Sequence, residues 1–415
     1  MRLALAAALV ALWLAPSALA WTPISQGALQ NIDRPATLLT SAGTELVAWG
    51  DNGSGLWLWS SKSGTRMIET VPFVEQPQLV QQPSGAIQIY SGSGSGIERF
   101  QSTDDGATWA GPFAIVSPST TGPVVSATVR PDGTPMFTQD STFGVYVFQG
   151  LNGEQVHTVF TQCCGYAESI AVDSSNYAQI AFWSNATSFP NLFVYEGLDG
   201  NGAQAGPGRA FGAPQTTPRD DSVPLVSAHD GNTYMGWSGG YPTATSFAVN
   251  VFQGGNLGWS SVVAGGSFSG GDPHMALSTD SASRVWAVWS QGSSVHARRS
   301  RSQGHHFGAP SAFGLAESTV YQLAAIALPN GRVDAFMNDG HEFLRQTFLP
   351  GLAVTATHTK ATVLDDGFGV KATLKGGGHT VTSSAAGKAS LAKFKKGTRV
   401  TVTAVGYTAA SFTTR

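Results

Sequence analysis

The sequence predicts an all-β protein built from seven repeats of one sheet unit. Charged residues make up only 12% of the chain, and glycine accounts for 50 of its 415 residues. Segments with helical periodicity that are rich in Ala, Leu, Glu and Lys are missing after the N-terminal stretch. Short apolar runs that end in an aromatic residue recur along the chain. Few charges, many turn residues and recurring short runs are typical of all-β folds.

The first stretch, residues 1–20, is predicted to be a secretory signal peptide. Arg2 forms a short basic region, an apolar run extends to Leu14, and a small-x-small cleavage site ends at Ala20. The alternative is an anchoring helix, but the apolar run is shorter than the roughly 20 residues that span a bilayer. We therefore expect a secreted mature protein that begins near Trp21, without a transmembrane segment.

Internal repetition is the strongest signal in the chain. The aromatic residues that end the runs are spaced 41, 47, 46, 54, 52 and 47 residues apart. Each run follows a turn signal of the kind that hairpins require. The aromatic residues are Trp49, Tyr90, Phe137, Trp183, Trp237, Trp289 and Phe336, and the turn signals end at Gly43, Gly85, Gly133, Asn176, Gly231, Ser281 and Gly331.

Each repeat accommodates four short strands, and seven such units describe a seven-bladed β-propeller. The seventh unit lacks a fourth strand, because residues 348–350 lead directly into a different region. We expect Thr22–Leu29 to supply that strand and to close the ring, leaving no open sheet edge. A pair of β-sandwiches or a solenoid is the alternative, and the even spacing favours the ring.

One hairpin, Ser102–Trp109, matches the Asp-box pattern S-x-D-x-G-x-x-W. Asp104 can accept hydrogen bonds from the backbone of its own turn, and Gly106 can adopt a positive φ. Trp109 provides the next strand with a large apolar anchor. We predict a structural role for Ser102, Asp104, Gly106 and Trp109, and a degenerate copy follows at 300–307.

The C-terminal region, residues 353–415, is predicted to be a separate, small basic β-sandwich. It contains nine Lys or Arg and two Asp, a net charge of +7, so residues 1–352 carry −10 of the total of −3. Thr382–Lys388 and Val400–Tyr407 resemble the carboxypeptidase-regulatory-like domains of secreted bacterial proteins. The basic segment 393–399 is either a solvated surface or a contact with anionic wall polymers or with the acidic propeller.

Propeller geometry predicts where a ligand site lies. Loops between the second and third strands, and between units, gather on one face around the central channel, which is the default ligand site. The Asp box lies on the opposite face. The predicted site face collects Asp33, Arg34, Asp51, Glu75, Asp140, Cys163, Cys164, Tyr166, Glu168, Arg219, Asp220, Asp221, Tyr241, Asp272, His274, Glu317, Tyr321, Asp339 and His341.

The Asp box and the propeller pattern together resemble the sialidase-like superfamily of Asp-box (BNR) repeat proteins. The resemblance implies three arginines that hold a substrate carboxylate, an Asp acid/base and a Tyr–Glu nucleophile. Only Arg34 occupies a matching position, and Arg219 is the other arginine on the site face. Sialidases also have six blades. The resemblance therefore supports the fold over residues 21–352 and argues mildly against sialidase activity.

Other chemistry on this face stays open. Glycoside hydrolysis needs two carboxylates, and the candidates are Asp220, Asp221, Glu168, Asp272 and Glu317. No spacing indicates a metal site, and we expect no cofactor. Cys163 and Cys164 either form a strained ring in a site loop or remain two small apolar residues.

The predicted function is recognition of carbohydrate or another extracellular polymer, with no nucleic-acid partner. The alternatives are a sialidase-like glycoside hydrolase acting on extracellular glycans, so enzymatic activity stays open, and a scaffold that binds another protein. The predicted ligand contacts are Arg34, Arg219, Tyr166, Tyr241, His274 and Tyr321.

Overall fold

The structure is a computed structural model, and its described part contains strands and turns but no helix. Among these residues no helix is long and apolar enough to cross a membrane. The described residues are 21–25, 34–51, 55–70, 75–93, 96–115, 124–139, 144–161, 165–184, 192–203, 209–211, 223–239, 246–253, 256–265, 274–300, 304, 306–314 and 320–415.

Up to residue 348 the described strands form seven antiparallel sheets of four strands each. In sheets 1 to 6 the strand order follows the chain, and sheet 7 is completed by β1 from the N-terminus. β1 is Thr22–Pro23. Sheet 1 contains β2 Ala36–Leu39, β3 Glu45–Asp51, β4 Gly55–Ser60 and β5 Gly64–Glu69, and sheet 2 contains β6 Glu75–Gln81, β7 Ile87–Ser93, β8 Gly96–Ser102 and β9 Ala110–Ile115. Sheet 3 contains β10 Val124–Val129, β11 Pro135–Gln139, β12 Val145–Gln149 and β13 Gln155–Phe160.

The remaining sheets of the ring follow the same order. Sheet 4 contains β14 Gly165–Val172, β15 Ala178–Ser184, β16 Leu192–Leu198 and β17 Arg209–Phe211, and sheet 5 contains β18 Leu225–Ser227, β19 Thr233–Gly239, β20 Ser246–Gln253 and β21 Asn256–Gly265. Sheet 6 contains β22 Met275–Thr279, β23 Val285–Gln291, β24 Ser294–Arg299 and β25 Ser311–Gly314. Sheet 7 contains β1 together with β26 Gln322–Ala327, β27 Val333–Asn338 and β28 Phe343–Phe348.

All the hairpins between first and second strands use the same turn. Its fourth residue has a positive φ, and the N–H of that residue donates to the carbonyl three positions earlier. Five of the seven positions are glycine, and Asn176 and Ser283 adopt the same conformation at φ 65° and 55°. Short polar side chains tolerate this region better than branched ones. The turns that the sequence predicts at these places are confirmed.

Apolar clusters join each sheet to the next around the ring. Seven clusters each combine residues of two consecutive sheets, and the last joins sheet 7 to sheet 1. In that last cluster Trp49 of sheet 1 packs on Phe343 of sheet 7, with ring centroids 5.2 Å apart. Every sheet therefore has both of its apolar faces covered by neighbours.

The N-terminal strand β1 pairs with the last strand of sheet 7. Thr22 pairs with Arg345 and Pro23 with Leu344 in antiparallel register. The pairing continues past β1, because Ile24 donates its N–H to the Phe343 carbonyl at 2.8 Å. The rest of the predicted strand, from residue 26 to residue 29, lies outside the described residues.

Side-chain hydroxyl groups link the first strands to one another. Each first strand has one edge that no strand of its own sheet covers, so its backbone groups need other partners. The hydroxyl of Thr37 donates to the Ala325 carbonyl at 3.3 Å, and that of Thr279 donates to the Ser227 carbonyl at 2.7 Å. The hydroxyl oxygens of three serines accept backbone N–H groups, namely Ser126 from Ile170 at 3.1 Å, Ser227 from Val172 at 3.2 Å and Ser278 from Ala327 at 2.8 Å.

The Ser102–Trp109 turn is held by its own side chains. Ser102 Oγ donates to Asp104 Oδ1 at 2.8 Å and accepts the Gly106 N–H at 2.9 Å. Thr108 donates its hydroxyl to Asp104 Oδ2 at 2.6 Å and its N–H to Oδ1 at 2.8 Å. These hydrogen bonds, those of Thr108 first, lower the pKa of Asp104 to about 2. Trp109 Nε1 donates to the Gly106 carbonyl at 3.2 Å.

A partly buried polar cluster lies at the junction of sheets 7 and 1. Arg345 donates through Nε to Asp334 Oδ2 at 2.7 Å and through Nη2 to Glu45 at 3.2 and 3.3 Å. Its guanidinium lies 5.2 Å from the centre of the Trp59 ring. Burial, followed by the hydrogen bond with Asp334 and its charge, raises the pKa of Glu45 to about 8. Glu45 is therefore protonated over much of the acidic and neutral range.

The C-terminal region forms two further four-stranded sheets. One apolar cluster, which includes Val363 of sheet 8 and Leu374 and Val400 of sheet 9, lies between them. Sheet 8 contains β29 Ala353–Ala356, β30 Lys360–Asp365, β31 Phe368–Gly369 and β34 Lys388–Ser390, and sheet 9 contains β32 Thr373–Gly376, β33 His379–Thr382, β35 Arg399–Thr403 and β36 Ala410–Thr413.

A buried ion pair joins the C-terminal sheets to the ring. Arg299 of sheet 6 donates to Asp365 Oδ2 at 2.5 Å, and the two side chains are 5% and 1% exposed. Arg299 also donates to the Gly331 carbonyl at 3.0 Å, and Tyr407 donates to Asp365 Oδ2 at 2.9 Å. Burial, together with the negative Asp365, raises the pKa of Tyr407. The C-terminal unit is thus bound firmly to sheets 6 and 7.

The raised pKa of Glu45 predicts a pH-dependent stability. The folded carboxyl has a higher pKa than the unfolded one, so the folded state binds more protons and stability falls as the pH rises from about 4.5 to about 8. One group contributes at most about 1.4 kcal/mol per pH unit. Glu45→Gln should remove this slope, as measured by urea unfolding at several pH values. The half-exposed Glu69→Gln is the control, and equal slopes for E45Q and wild type would contradict the assignment.

Replacing one partner of the Arg299–Asp365 pair should lower the free energy of unfolding much more than replacing both partners. Asp365→Ala leaves a buried guanidinium without its carboxylate and should destabilise the protein by about 3–5 kcal/mol. Replacing both partners in R299M/D365L should recover most of the loss, because no charge stays buried. Urea unfolding monitored by tryptophan fluorescence measures both variants. A double variant as unstable as the single one would show that the pair is not the source of the effect.

Candidate functional site

The first strands of all seven sheets surround a central channel. Its larger cavity, of about 720 Å³, is lined by residues from every sheet of the ring. The lining includes Thr40, Ser41, Gln81 and His229, which lie where first strands end and their turns begin. This wide mouth therefore opens on the turn face, opposite to the predicted site face.

The wide mouth presents mainly hydroxyl and aliphatic groups. Asp280 lines it, but its Oδ1 accepts the N–H groups of Ala282 and Arg284 at 3.0 Å, and its Oδ2 accepts Arg284 Nε at 2.6 Å. Both oxygens of the Asp280 carboxylate therefore accept hydrogen bonds from groups of its own turn. His229 is exposed at the same mouth.

The other end of the channel is narrow. A cavity of about 150 Å³ is lined there by Arg34, Gln78, Ser126 and Ser169 together with aliphatic residues. These residues lie where the first strands begin, which is the face that the sequence predicts to carry the site. The narrow mouth combines one guanidinium with amide and hydroxyl groups, so it offers hydrogen-bond donors to a polar ligand.

Three neighbouring first strands carry β-bulges at the narrow mouth. Their pairing registers shift between Glu75 and Gln78, between Val124 and Ser126, and between Tyr166 and Ser169. Bulges bend a strand and redirect side chains, and they concentrate next to binding sites. In sheet 4 the shift includes Glu168, whose side chain is fully buried.

Buried polar side chains form a layer around this end. They lie at the ends of second strands and at the beginnings of first strands, where the apolar runs stop. The backbone N–H of His274, a member of this layer, donates to Ser290 Oγ at 2.9 Å. The other members are Ser91, Gln139, Glu168, Ser169, Ser184, Gln322 and Asn338.

Tyr321 provides an exposed aromatic ring on the same face. The residue is 40% exposed, and its N–H donates to the Asn338 carbonyl at 2.9 Å. Its ring lies against Gly340, where an added Cβ would come within 2.6 Å of a ring carbon. Gly340 has φ +86°, so the loop requires glycine for both reasons. The adjacent carboxylate of Asp339 accepts N–H groups of its own turn.

Four of the predicted site residues lie at the end of the channel where the first strands begin. Arg34 lines the cavity, and the buried Glu168 precedes Ser169 of that lining. The buried His274 precedes β22, and the exposed Tyr321 precedes β26. Tyr166 pairs with Trp183 in sheet 4, and Glu75 lies in β6. Asp51 ends β3, and His341 follows Asp339 in an exposed loop.

Other predicted residues lie outside the described part, so their roles stay predictions. They are Asp33, Asp140, Cys163, Cys164, Arg219, Asp220, Asp221, Tyr241, Asp272 and Glu317. Sequence reasoning missed the wide mouth and the buried amides Gln139 and Asn338. The sequence does contain a signal for the two amides, because each of them ends an apolar second strand and immediately precedes a loop.

Comparison with known proteins supports the fold. No protein-family model matches the chain, and the search of curated proteins gave no match. A catalytically inactive variant of virginiamycin B lyase from Staphylococcus aureus, solved with quinupristin, is similar with a TM-score of 0.50 and 12% identity, over 77% of this chain and 98% of the lyase. An ulvan lyase is similar with a TM-score of 0.49 and 9% identity, over 78% of this chain and 95% of that chain.

An α-L-arabinanase from Penicillium chrysogenum complexed with arabinobiose is similar with a TM-score of 0.46 and 11% identity, over 80% of this chain and 98% of that chain. At such identities structural likeness concerns the fold and not the ligand. The order of the four-stranded sheets and the likeness at a TM-score of 0.50 together indicate an all-β, propeller-like fold.

Proposed function

We propose that this chain is a secreted β-propeller that recognises carbohydrate or another extracellular polymer through the face around the narrow mouth. In this proposal the seven sheets are blades, the Ser102–Trp109 turn is an Asp box, and residues 1–20 direct export. Residues 21–352 form the propeller and residues 353–415 a sandwich domain, whose basic surface contacts anionic wall polymers. The closed order of sheets and the apolar clusters between them support the seven blades.

The exposed ring of Tyr321 is the observation that carries the proposed binding role. An aromatic ring offers a sugar an apolar platform and, in tyrosine, a polar hydroxyl at its edge. The backbone of Gly340 fixes the ring from behind, so little side-chain freedom is lost when a ligand stacks on it. A rigid exposed aromatic of this kind is suited to ligand contact.

The strand next to Tyr321 supplies a complementary charged group. Arg34 precedes β2 and Tyr321 precedes β26, and these strands are linked by the Thr37 hydroxyl. Both residues therefore lie at the same end of adjacent strands. An aromatic platform with a guanidinium and several hydroxyl and amide groups nearby matches the mixed apolar and polar character of a glycan.

Glycoside hydrolysis is the second candidate function. Glu168 is fully buried within a bulge beside the mouth that Arg34 lines. A buried carboxyl next to a cavity is a candidate acid or base. A hydrolase would need a second carboxylate at the proper separation, and the candidates from the sequence are Asp220, Asp221, Asp272 and Glu317.

The test compares glycan binding by two matched aromatic substitutions in the mature chain. Tyr321→Ala should weaken binding to the glycan identified on an array by about tenfold or more, since well-packed aromatic contacts contribute about 2 kcal/mol. Tyr321→Phe should retain most of the affinity because the platform remains. Phe113→Ala, at a ring 41% exposed on the outer strand of sheet 2, is the control and should bind as wild type does.

Two outcomes would overturn the binding proposal. Equal affinities for Y321A and wild type would remove Tyr321 from the ligand site. Hydrolysis of a fluorogenic sialoside or other glycoside that is lost in Glu168→Gln would establish the hydrolase instead. Thermal unfolding of each variant confirms that the fold is intact.

A further inference from the structure

The charges of the C-terminal unit are sorted along its length. Tyr407 and Thr408 follow β35 and contact sheet 6, since Thr408 Oγ1 lies 3.2 Å from Ser311 Oγ and the Arg299 guanidinium lies 5.9 Å from the centre of the Tyr407 ring. Arg399 begins β35, about 13 Å from Thr403 at about 3.3 Å per residue. The acidic residues of this unit therefore lie next to the ring, and the start of β35 lies at the far end.

Most of the basic residues gather at that far end. Lys393, Lys395 and Lys396 are exposed in the loop that precedes β35. We call the basic tip the set of Lys360, Lys375, Lys393, Lys395, Lys396, Arg399 and Arg415. It contains seven of the nine basic residues from position 353 onward, and the other two are Lys371 and Lys388.

The loop of the basic tip has a defined conformation. Thr414 donates its hydroxyl to the Lys395 carbonyl at 2.6 Å, and the Gly397 N–H donates to the Thr414 carbonyl at 2.9 Å. Phe394 packs edge-on against His379, with ring centroids 6.5 Å apart. The lysines on either side of Phe394 are therefore held outward together, and their positive charges reinforce one another.

A hydroxyl-rich sheet face adjoins the basic tip. In the segment before and within β32, Lys371 and Lys375 alternate with buried Ala372 and Leu374, so they point away from the apolar cluster. The same outer face of sheet 9 carries mainly threonine. Its hydroxyl residues are Thr373, Thr380, Thr382, Thr401, Thr403, Ser411 and Thr413.

We propose that the basic tip and this threonine face bind a linear, carboxylated polysaccharide. Each lysine ammonium is a compact positive charge that can pair with one of the carboxylates spaced along the polymer. The threonine hydroxyls can donate hydrogen bonds to the sugar hydroxyls and accept hydrogen bonds from them. The rest of the chain carries −10, which repels a polyanion and directs it to the far end. This inference deepens the extracellular-polymer part of the proposed function, at a surface separate from Tyr321.

Other polyanions fit this surface less well. Single-stranded nucleic acid is bound through aromatic stacking platforms, whereas the tip adjoins threonines. A membrane surface site pairs basic residues with apolar side chains that insert. The large apolar groups exposed in the C-terminal unit, Phe368 and Val405, lie near the ring and away from the tip.

The experiment measures binding of the mature chain to polygalacturonate, with its fully methyl-esterified form as the neutral control. Lys395→Glu with Lys396→Glu should weaken binding by about tenfold or more at low salt, because two favourable charges become unfavourable. Arg332→Glu with Lys388→Glu makes the same change of net charge outside the threonine face, at an exposed position next to β27 of sheet 7 and on sheet 8, and should have a much smaller effect. Wild-type binding should also weaken steeply as salt rises.

The other arms separate this site from the Tyr321 site. Y321A should bind polygalacturonate as wild type does, and K395E/K396E should keep the glycan affinity of the propeller face. Equal binding by the two double variants, or binding of the esterified polymer, would overturn the proposal. Stronger binding to single-stranded DNA or to anionic vesicles would overturn it as well, as would salt-sensitive self-association that K395E/K396E abolishes.

Discussion

Closure of the ring is the constraint on which the rest of the structure depends. Each four-stranded sheet is apolar on both faces and is stable only between two neighbours. An open row of seven sheets would leave one face of the first and one face of the last in water. Pairing of β1 with β28 and the cluster of Trp49 and Phe343 remove both faces together. The contacts join residues that are about 300 positions apart in the chain, such as Glu45 and Arg345.

Closure also creates the channel and its two unlike ends. Parallel first strands meet around one axis, and their free edges are joined by serine and threonine hydroxyls. At one end the strands run into uniform tight turns, and the cavity of about 720 Å³ there is lined mainly by hydroxyl and aliphatic groups. At the other end the first strands of sheets 2, 3 and 4 carry bulges, and the cavity there has a volume of about 150 Å³.

Local patterns in the sequence were sufficient to predict the repeating architecture. A glycine or asparagine at the fourth turn position has a steric reason, so Gly85 and Asn176 could be interpreted without coordinates. The missing fourth strand of the last unit indicated where β1 pairs. The cluster of Glu45, Asp334 and Arg345 could not be predicted, because each residue alone resembles an ordinary surface charge on a strand. Only the packing of sheet 7 on sheet 1 makes them neighbours.

The candidate site could be predicted less well than the fold. Sorting loops by face selected Arg34, Glu168, His274 and Tyr321 as candidates, but exposure and burial depend on tertiary packing. The sequence could not distinguish the buried Glu168 from the exposed Tyr321, nor reveal that Gly340 supports the tyrosine ring. The register shifts at the beginnings of β6, β10 and β14 could not be predicted either, because alternation of residue types does not reveal bulges.

The bond of Arg299 to both Gly331 and Asp365 has a geometric consequence. A domain attached only by a linker samples a broad range of distances from its neighbour. Here one buried guanidinium is shared by a turn of sheet 7 and a strand of sheet 8, so the orientation between them is determined by folding. Lys395 and Tyr321, which belong to the two proposed binding surfaces, are therefore held at a fixed distance from each other.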